Sequence, residues 1–322
     1  MTAVSVIIPV YKVRNFIERC ACSLFEQTLK EIEYIFVDDA SPDDSIEILK
    51  KCAEKYPERK HQLVILRHER NQGVSSARNL GLKAAKGKYI AYCDSDDYVN
   101  RNMFAKMYET AESSNADLVY CDFYFNRGGT LERHSAPPLL DKVGLLKSYI
   151  AFGWTVMWNI IARKEMYEKY DLLWPKTLAY CEDFHISVRL MYHAKKIAKV
   201  NLPLYYYNQE NQDSVMHRLN STHAKHELIA YTEIVDFFKE CGEFNSYERE
   251  LAWRVLKNKQ DMALNPCEHE TFINLLPWSH KYILSCPETF CNRKIKIMMW
   301  LLSNHCRFIL LPILRLRNIL KK

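Results

Sequence analysis

Tyr89-Ile90-Ala91-Tyr92-Cys93-Asp94-Ser95-Asp96-Asp97 decides how this chain of 322 residues is read. The apolar run predicts a short buried strand, and it ends in three carboxylates within four positions. Carboxylates this close repel one another, so a fold keeps them together where something positive sits among them. A strand delivers them to its C-terminal end, where open α/β sheets bind ligands. Hard oxygen donors in this number suit Mg²⁺ or Mn²⁺, which takes one or two carboxylates plus substrate phosphates. The plainer alternative is a solvated acidic turn that caps the next helix.

Outward from this stretch, the first 125 residues alternate strand and helix. The continuous β-branched run Val4-Ser5-Val6-Ile7-Ile8-Pro9-Val10 predicts a buried strand, and further strands are expected over 34–37, 63–66, 89–93 and 117–121. Helical spacing marks 15–27, 45–56, 74–85 and 101–114. Strands separated by such helices imply βαβ units and a largely parallel sheet. Arg127-Gly128-Gly129-Thr130 breaks the rhythm as a turn. Beyond it the pattern is mixed to about residue 207, with helices expected over 142–151 and 182–193 and an extended stretch over 197–207. From 221 onward the chain reads as mainly helical. These shifts divide it into 1–125, 126–220 and 221–322. It has only eight glycines and neither a Walker A nor a G-x-G-x-x-G loop, so any bound phosphate falls to a cation and side chains.

Hydrophobic content of 48% and charged content of 26% are those of an ordinary globular protein. The eleven cysteines lack metal-ligand spacing, and the chain opens into a strand pattern rather than a signal peptide, which together predict a reducing cytosol. The net charge of +6 is local. Of 45 basic side chains, eight lie in 293–322, where there is no acidic one, leaving 37 against 39 acidic in the rest. A neutral body with a basic tail does not argue for nucleic acid; it argues for one anionic surface at the tail.

A second acidic pair, Asp38-Asp39, ends the strand expected over 34–37. In a doubly wound sheet two such strand ends can converge on one crevice. There one carboxylate could accept the imide N–H of a nucleobase, while another, beside a diphosphate, would need a divalent cation between them. Ser5-Val6-Ile7-Ile8-Pro9-Val10-Tyr11, Val37-Asp38-Asp39-Ala40-Ser41, Asn71-Gln72-Gly73-Val74-Ser75-Ser76-Ala77-Arg78-Asn79-Leu80-Gly81 and Gly87-Lys88 running into the acidic stretch follow one another over about 120 residues. Together they resemble the family 2 glycosyltransferases of GT-A fold. That resemblance implies an α/β fold with a Rossmann-like, mostly parallel sheet and flanking helices, followed here by a mainly helical C-terminal region. It also makes 1–125 the nucleotide-sugar half of the GT-A domain and 126–220 the acceptor half.

The resemblance carries roles onto individual residues. Pro9 and Tyr11 fall on the loop that cradles the base, Asp39 would bind it, usually as uracil, and Arg78 holds a position that often reaches the phosphates. Asp94 would lie near the ribose or sugar, and Asp96 would be the direct ligand of Mn²⁺ or Mg²⁺. Cys181-Glu182-Asp183 resembles the family's Glu-Asp pair at a helix start, which makes Asp183 the expected catalytic base and Glu182 a residue that orients it or touches the acceptor. Acids at a helix N-terminus also suit the macrodipole with no further role. Trp154 and Trp158 resemble a stretch under the acceptor site, where an aromatic face can stack on a sugar and where a buried core is an equal alternative. His217 sits where some members add a metal or diphosphate ligand. Tyr205-Tyr206-Tyr207-Asn208 resembles a family stretch that usually carries Arg after the tyrosines, and that Arg is absent.

The implied activity is metal-assisted transfer of a sugar from a nucleotide-sugar donor, UDP-linked, to a saccharide acceptor, including one carried on a polyprenyl lipid, with inversion at the anomeric carbon. A sugar-nucleotide-binding protein without chemistry would not need the base. A nucleotidyltransferase would carry a glycine-rich loop after the first strand, and Tyr11-Lys12-Val13-Arg14 has no glycine. In 293–322 basic residues are scattered among large apolar ones, Trp300 included, with no uncharged run of the ~18–20 residues a span needs. This pattern predicts peripheral contact with the inner face of the cytoplasmic membrane; a helical hairpin packed on protein is the competing expectation.

Overall fold

The computed structural model describes residues 2–153, 155–211, 221–306, 308, 309 and 312. Trp154, His217 and most of the chain after 306 lie outside them. The described residues form β1 (Val4–Val10), α1 (Ile17–Phe25), β2 (Ile32–Asp38), α2 (Ser45–Glu54), β3 (Leu63–Arg67), α3 (Val74–Ala84), β4 (Tyr89–Tyr92), β5 (Tyr98–Val99) and α4 (Met103–Ser114). There follow β6 (Leu118–Arg127), β7 (Thr130–His134), α5 (Lys142–Phe152), β8 (Ile160–Arg163), α6 (Lys164–Lys169), α7 (Glu182–His193) and β9 (Ile197–Asn208). The rest is helical: α8 (Ser221–Glu240), α9 (Phe244–Leu264), α10 (His269–Asn274) and α11 (Arg293–Ser303).

One sheet runs in the order β3-β2-β1-β4-β8-β6-β9-β5, with β7 on β6. β3, β2, β1 and β4 pair in parallel, as βαβ crossovers require, and β6 pairs in parallel with β9. β8 enters antiparallel between β4 and β6, and β5 and β7 are antiparallel edge pieces. These three strands are absent from the sequence reading. β5 has only two residues and β7 is exposed along most of its length, so neither leaves an apolar run to read.

β1 and β2 are buried along nearly their whole length, which is why both read as continuous apolar runs. α1 turns Ile17, Cys20, Ala21, Leu24 and Phe25 onto the sheet at helical spacing. α3 lies against β1 at Gly81, where an added Cβ would collide with the Ile7 side chain. This close approach fixes how deep α3 sits, and therefore where Arg78, one turn earlier, is carried.

The chain divides into two compact units, 1–146 with 153–223 and 147–152 with 224–322. The first holds the whole sheet. The second has its own core, in which Leu256 and Ala263 of α9 meet Phe272, Ile283, Cys286, Cys291, Met299 and Leu302.

Candidate active site

The C-terminal ends of β1, β2 and β4 lie side by side because β1 pairs with both neighbours, Val10 facing Asp38 and Ile7 facing Tyr92. The Asp39 N–H donates to the Val10 carbonyl at 3.0 Å, and the Cys93 N–H to the Ile7 carbonyl at 3.1 Å. β1 and β2 thus end level with each other, while β4 ends three residues lower along β1, and the three loops open side by side at the strand-order switch where such sheets bind ligands. Pro9 lies within β1, opposite Val37 of β2, and not on the loop expected for it; the loop after β1 carries the exposed Tyr11, and the Lys12 N–H reaches Ser41 Oγ on the loop after β2 at 2.8 Å. Lys12 and Ala40 both take left-handed backbone, with φ of 55° and 54°. Such conformations in residues other than glycine are held by their surroundings and gather at functional loops.

Asp39 is buried, and it organises the next loop. It accepts the Gln72 and Gly73 N–H groups at 2.9 and 2.8 Å, and His68 Nδ1 lies 2.7 Å from Oδ1. Gly73 has φ of 86°, a conformation that an L side chain would strain. Of roughly four acceptor directions on the carboxylate, these three contacts leave one. Asp38 is tied to the Ser41 N–H and to Arg67 at 3.2 Å.

Arg78 is the centre of the site. Its guanidinium donates to Asp94 Oδ1 at 2.9 Å, Glu182 Oε1 at 3.0 Å and Asp183 Oδ1 at 3.2 Å, and it lies 4.1 Å from the ring centre of Trp174. Only 3% of the residue is exposed. Burial alone would weaken its charge, but Asp183, Asp94 and Glu182 outweigh burial and hold the proton more firmly than usual. One guanidinium thus joins the acidic turn after β4 to the first turn of α7. Cys181, with φ of 65°, turns the chain into that helix so that Glu182 and Asp183 face inward. Burial pushes the Asp183 carboxyl well above the usual range; Arg78 opposes the shift, while Glu182 and Asp94 add to it.

The acidic turn alternates. Asp94 and Asp96 are partly exposed, while Ser95 and Asp97 are buried. Burial, followed by the Asp94 charge, raises the Asp96 carboxyl from 3.8 to about 6, and a hydrogen bond from Asn211 Nδ2 at 2.8 Å works the other way. Asp94 is paired with Arg78 through Oδ1, and Asp96 accepts from a neutral amide; both are hard oxygen donors, which fits a divalent cation completed by phosphate oxygens. Among the described residues no group of three or more His, Cys, Asp or Glu forms a full protein ligand set.

The structure thus brings Pro9, Tyr11, Asp39, Arg78, Asp94, Asp96, Glu182 and Asp183 to the strand ends and the α7 start. Trp158 is placed differently. It is 3% exposed, stacked on Tyr205 at 4.3 Å and edge-on to Phe123 at 4.7 Å, so it supports the acidic turn from within the core. Trp154 and His217 lie outside the described residues. Sequence reasoning missed Trp174, His68 and Asn211, and it named Tyr205 and Asn208 only as part of a stretch resembling the family's, with no role at the acidic turn.

The family model described as Glycosyl transferase family 2 matches residues 5–185. The uncharacterized glycosyltransferase EpsJ of Bacillus subtilis (strain 168) is 32% identical over 276 residues, 82% of this chain and 78% of that protein. Among solved structures, S. aureus TarS 1-349 in complex with UDP-GlcNAc aligns with a TM-score of 0.70 over 95% of this chain and 92% of that one, at 20% identity. The mannosyltransferase PcManGT from Pyrobaculum calidifontis in complex with GDP-Man and Mn2+ aligns with a TM-score of 0.56 over 93% and 86%, at 17% identity. The sheet and helical C-terminal region match the GT-A architecture of these neighbours. Four motifs in order, the strand ends that gather them and these likenesses agree: the chain is a glycosyltransferase and belongs to glycosyl transferase family 2.

Proposed function

We propose that the protein transfers a sugar from a UDP-linked donor to a saccharide or lipid-linked saccharide acceptor, with inversion at the anomeric carbon. The observation that carries this reading is the Arg78 hub, which places Asp94 of the donor turn and Asp183 of α7 on one guanidinium. In this reading Pro9 and Tyr11 flank the base, and the remaining acceptor direction of Asp39 takes an imide N–H. A divalent cation, Mn²⁺ or Mg²⁺, would be held by Asp96 with Asp94 beside it, and when bound it offsets charge on the diphosphate. Binding of GDP-Man and Mn2+ by PcManGT and of UDP-GlcNAc by TarS supports a nucleotide-sugar and a cation here.

Asp183 removes the proton of the acceptor hydroxyl as that oxygen bonds to the anomeric carbon. The bond from that carbon to the diphosphate oxygen breaks, and the electron pair leaves with the nucleoside diphosphate. A single displacement of this kind inverts configuration. A carboxylate whose affinity for protons is raised by burial suits the task, because a general base works best when its pKa approaches the working pH. Arg78 keeps it aimed, and Glu182 shares the same nitrogen.

No helix among the described residues is long and apolar enough to cross a membrane. We place the enzyme at the inner face of the cytoplasmic membrane through residues 293–322, where lipid-linked acceptors would be met. The test of the catalytic reading is release of nucleoside diphosphate from a panel of nucleotide sugars with Mn²⁺ or EDTA. One donor should turn over with Mn²⁺, and Asp96→Ala and Asp183→Asn should each abolish turnover. A protein that releases diphosphate equally well as Asp183→Asn uses another base.

A further inference from the structure

The acidic turn is gripped from one side by β9 and the residues just after it. Tyr205 is fully buried, and its hydroxyl donates to Asp97 Oδ2 at 2.6 Å while accepting the Asp94 N–H at 3.1 Å. The Asn208 N–H donates to Asp97 Oδ1 at 2.7 Å, and Asn208 Nδ2 donates to the Asp96 carbonyl at 3.1 Å. Inside the turn, the Asp97 N–H closes on the Asp94 carbonyl at 3.1 Å. The Tyr205 hydroxyl therefore spans the turn from its first residue to its last. Asp97, 1% exposed, has both carboxylate oxygens engaged inward and cannot serve as a ligand to anything in the crevice.

We propose that Tyr205 and Asp97 are a positioning pair for the donor site: the Tyr205 hydroxyl sets the spacing and aim of Asp94 and Asp96 toward the cation and diphosphate. The proposal rests on the donor-site reading of those two carboxylates. Its physical basis is that a hydroxyl both donates and accepts, so this one oxygen binds a backbone N–H at one end of the turn and a carboxylate at the other. The ring is fixed independently, stacked on Trp158 at 4.3 Å with planes 13° apart, so the hydroxyl has little freedom to move with the turn. Without it, a buried carboxylate oxygen and a backbone N–H lose their partner, and the turn must readjust to find others.

The test is Tyr205→Phe, which keeps the ring stack and removes only the hydroxyl. UDP binding is measured by calorimetry on the full chain, once with Mn²⁺ and once with EDTA. The expected result is a loss of about tenfold or more in the Mn²⁺-dependent affinity, with affinity in EDTA unchanged within twofold. Asp97→Asn should give the same pattern, and the double variant should be no worse than the more affected single one, because both remove one interaction. Equal losses with and without the cation, or additive losses in the double variant, would mean that both residues only stabilise the fold and would overturn the proposal. Unchanged binding in two folded single variants would overturn it as well. If Mn²⁺ has no effect on UDP binding by the unaltered protein, the donor-site reading fails and takes the positioning role with it.

Discussion

Arg78 on α3 and Asp183 on α7 lie 105 positions apart in the chain and 3.2 Å apart in the fold, through a nitrogen that also serves Glu182 at 3.0 Å. A buried cation held by three carboxylates and an aromatic face is a poor place for any other residue. Arg78→Ala would leave Asp94, Glu182 and Asp183 crowded without compensation, and breaking such a buried network costs about 3–5 kcal/mol. Arg78→Lys keeps the charge, but a single ammonium lacks the planar fork that reaches both sides and stacks on Trp174. Both variants should lower kcat/KM by at least about 100-fold through misplacement of the base. The alanine variant should also melt lower, which thermal denaturation followed by circular dichroism would report.

Rate should fall with acid earlier than for an ordinary carboxylate enzyme. A base must be ionised, and burial raises the Asp183 carboxyl well above its usual range. Asp96, at about 6 against a usual 3.8, must also lose its proton before it can hold a cation. Both shifts go the same way, so the acid limb of kcat/KM should lie at about pH 6 or above. Saturating Mn²⁺ competes with the proton on Asp96 and should move the limb down. The measurement is a pH–rate profile at two Mn²⁺ concentrations, and a limb near 4 at both would contradict the assignment of these two carboxyls.

Lys259 offers a stability prediction in the helical unit. It is fully buried on α9, with Nζ 2.5 Å from the Leu275 carbonyl, 2.6 Å from His280 Nε2 and above the Phe272 ring, and burial lowers it from 10.5 to about 7. Between these two values the unfolded chain binds the proton and the folded chain does not. Stability therefore rises with pH from about 7 toward 10.5, and it is lost as pH falls through the folded value. Urea midpoints taken between pH 7 and 10 should climb. Lys259→Met should remove that slope and raise stability at pH 7 by about 1–3 kcal/mol, because the desolvation cost disappears.

The parallel half of the sheet was legible because β1, β2 and β4 are buried on both faces and leave unbroken apolar runs. Asp39, Asp94 and Asp96 were legible because strand ends announce loops. Tyr205, Asn208 and Asn211 were not, because their work is to bind a turn more than a hundred residues earlier, and no local periodicity records such a pairing. Trp158 shows the same limit from the other side. An aromatic residue in a region read as acceptor-binding looks the same in sequence whether it faces a sugar or fills the core, and here Tyr205 and Phe123 enclose it. Asp39 was legible as a site residue, but its three contacts to the 68–73 loop were not.

The basic C-terminal segment yields the last prediction. α11 buries Met299 and Leu302 in the core of the helical unit, which satisfies the expectation of packing on protein for one face only. Ile297 and Trp300, 50% and 43% exposed, point away from that core, and Leu284 nearby is 63% exposed and lines the same hollow as Trp300. Arg293 and Lys294 are exposed at the start of the same helix, a mixture that suits anionic lipid, with about 1 kcal/mol expected from each basic side chain near the surface. In sedimentation with vesicles, the full chain should bind those containing phosphatidylglycerol and leave neutral phosphatidylcholine vesicles largely alone. Ile297→Ser with Trp300→Ser should weaken that binding at least about tenfold, since each side chain exchanges apolar contact with lipid for water. Diphosphate release in solution should not change, because neither residue belongs to the donor site. If binding persists in the double variant, membrane contact is made elsewhere in the segment, and this face of α11 has no part in it.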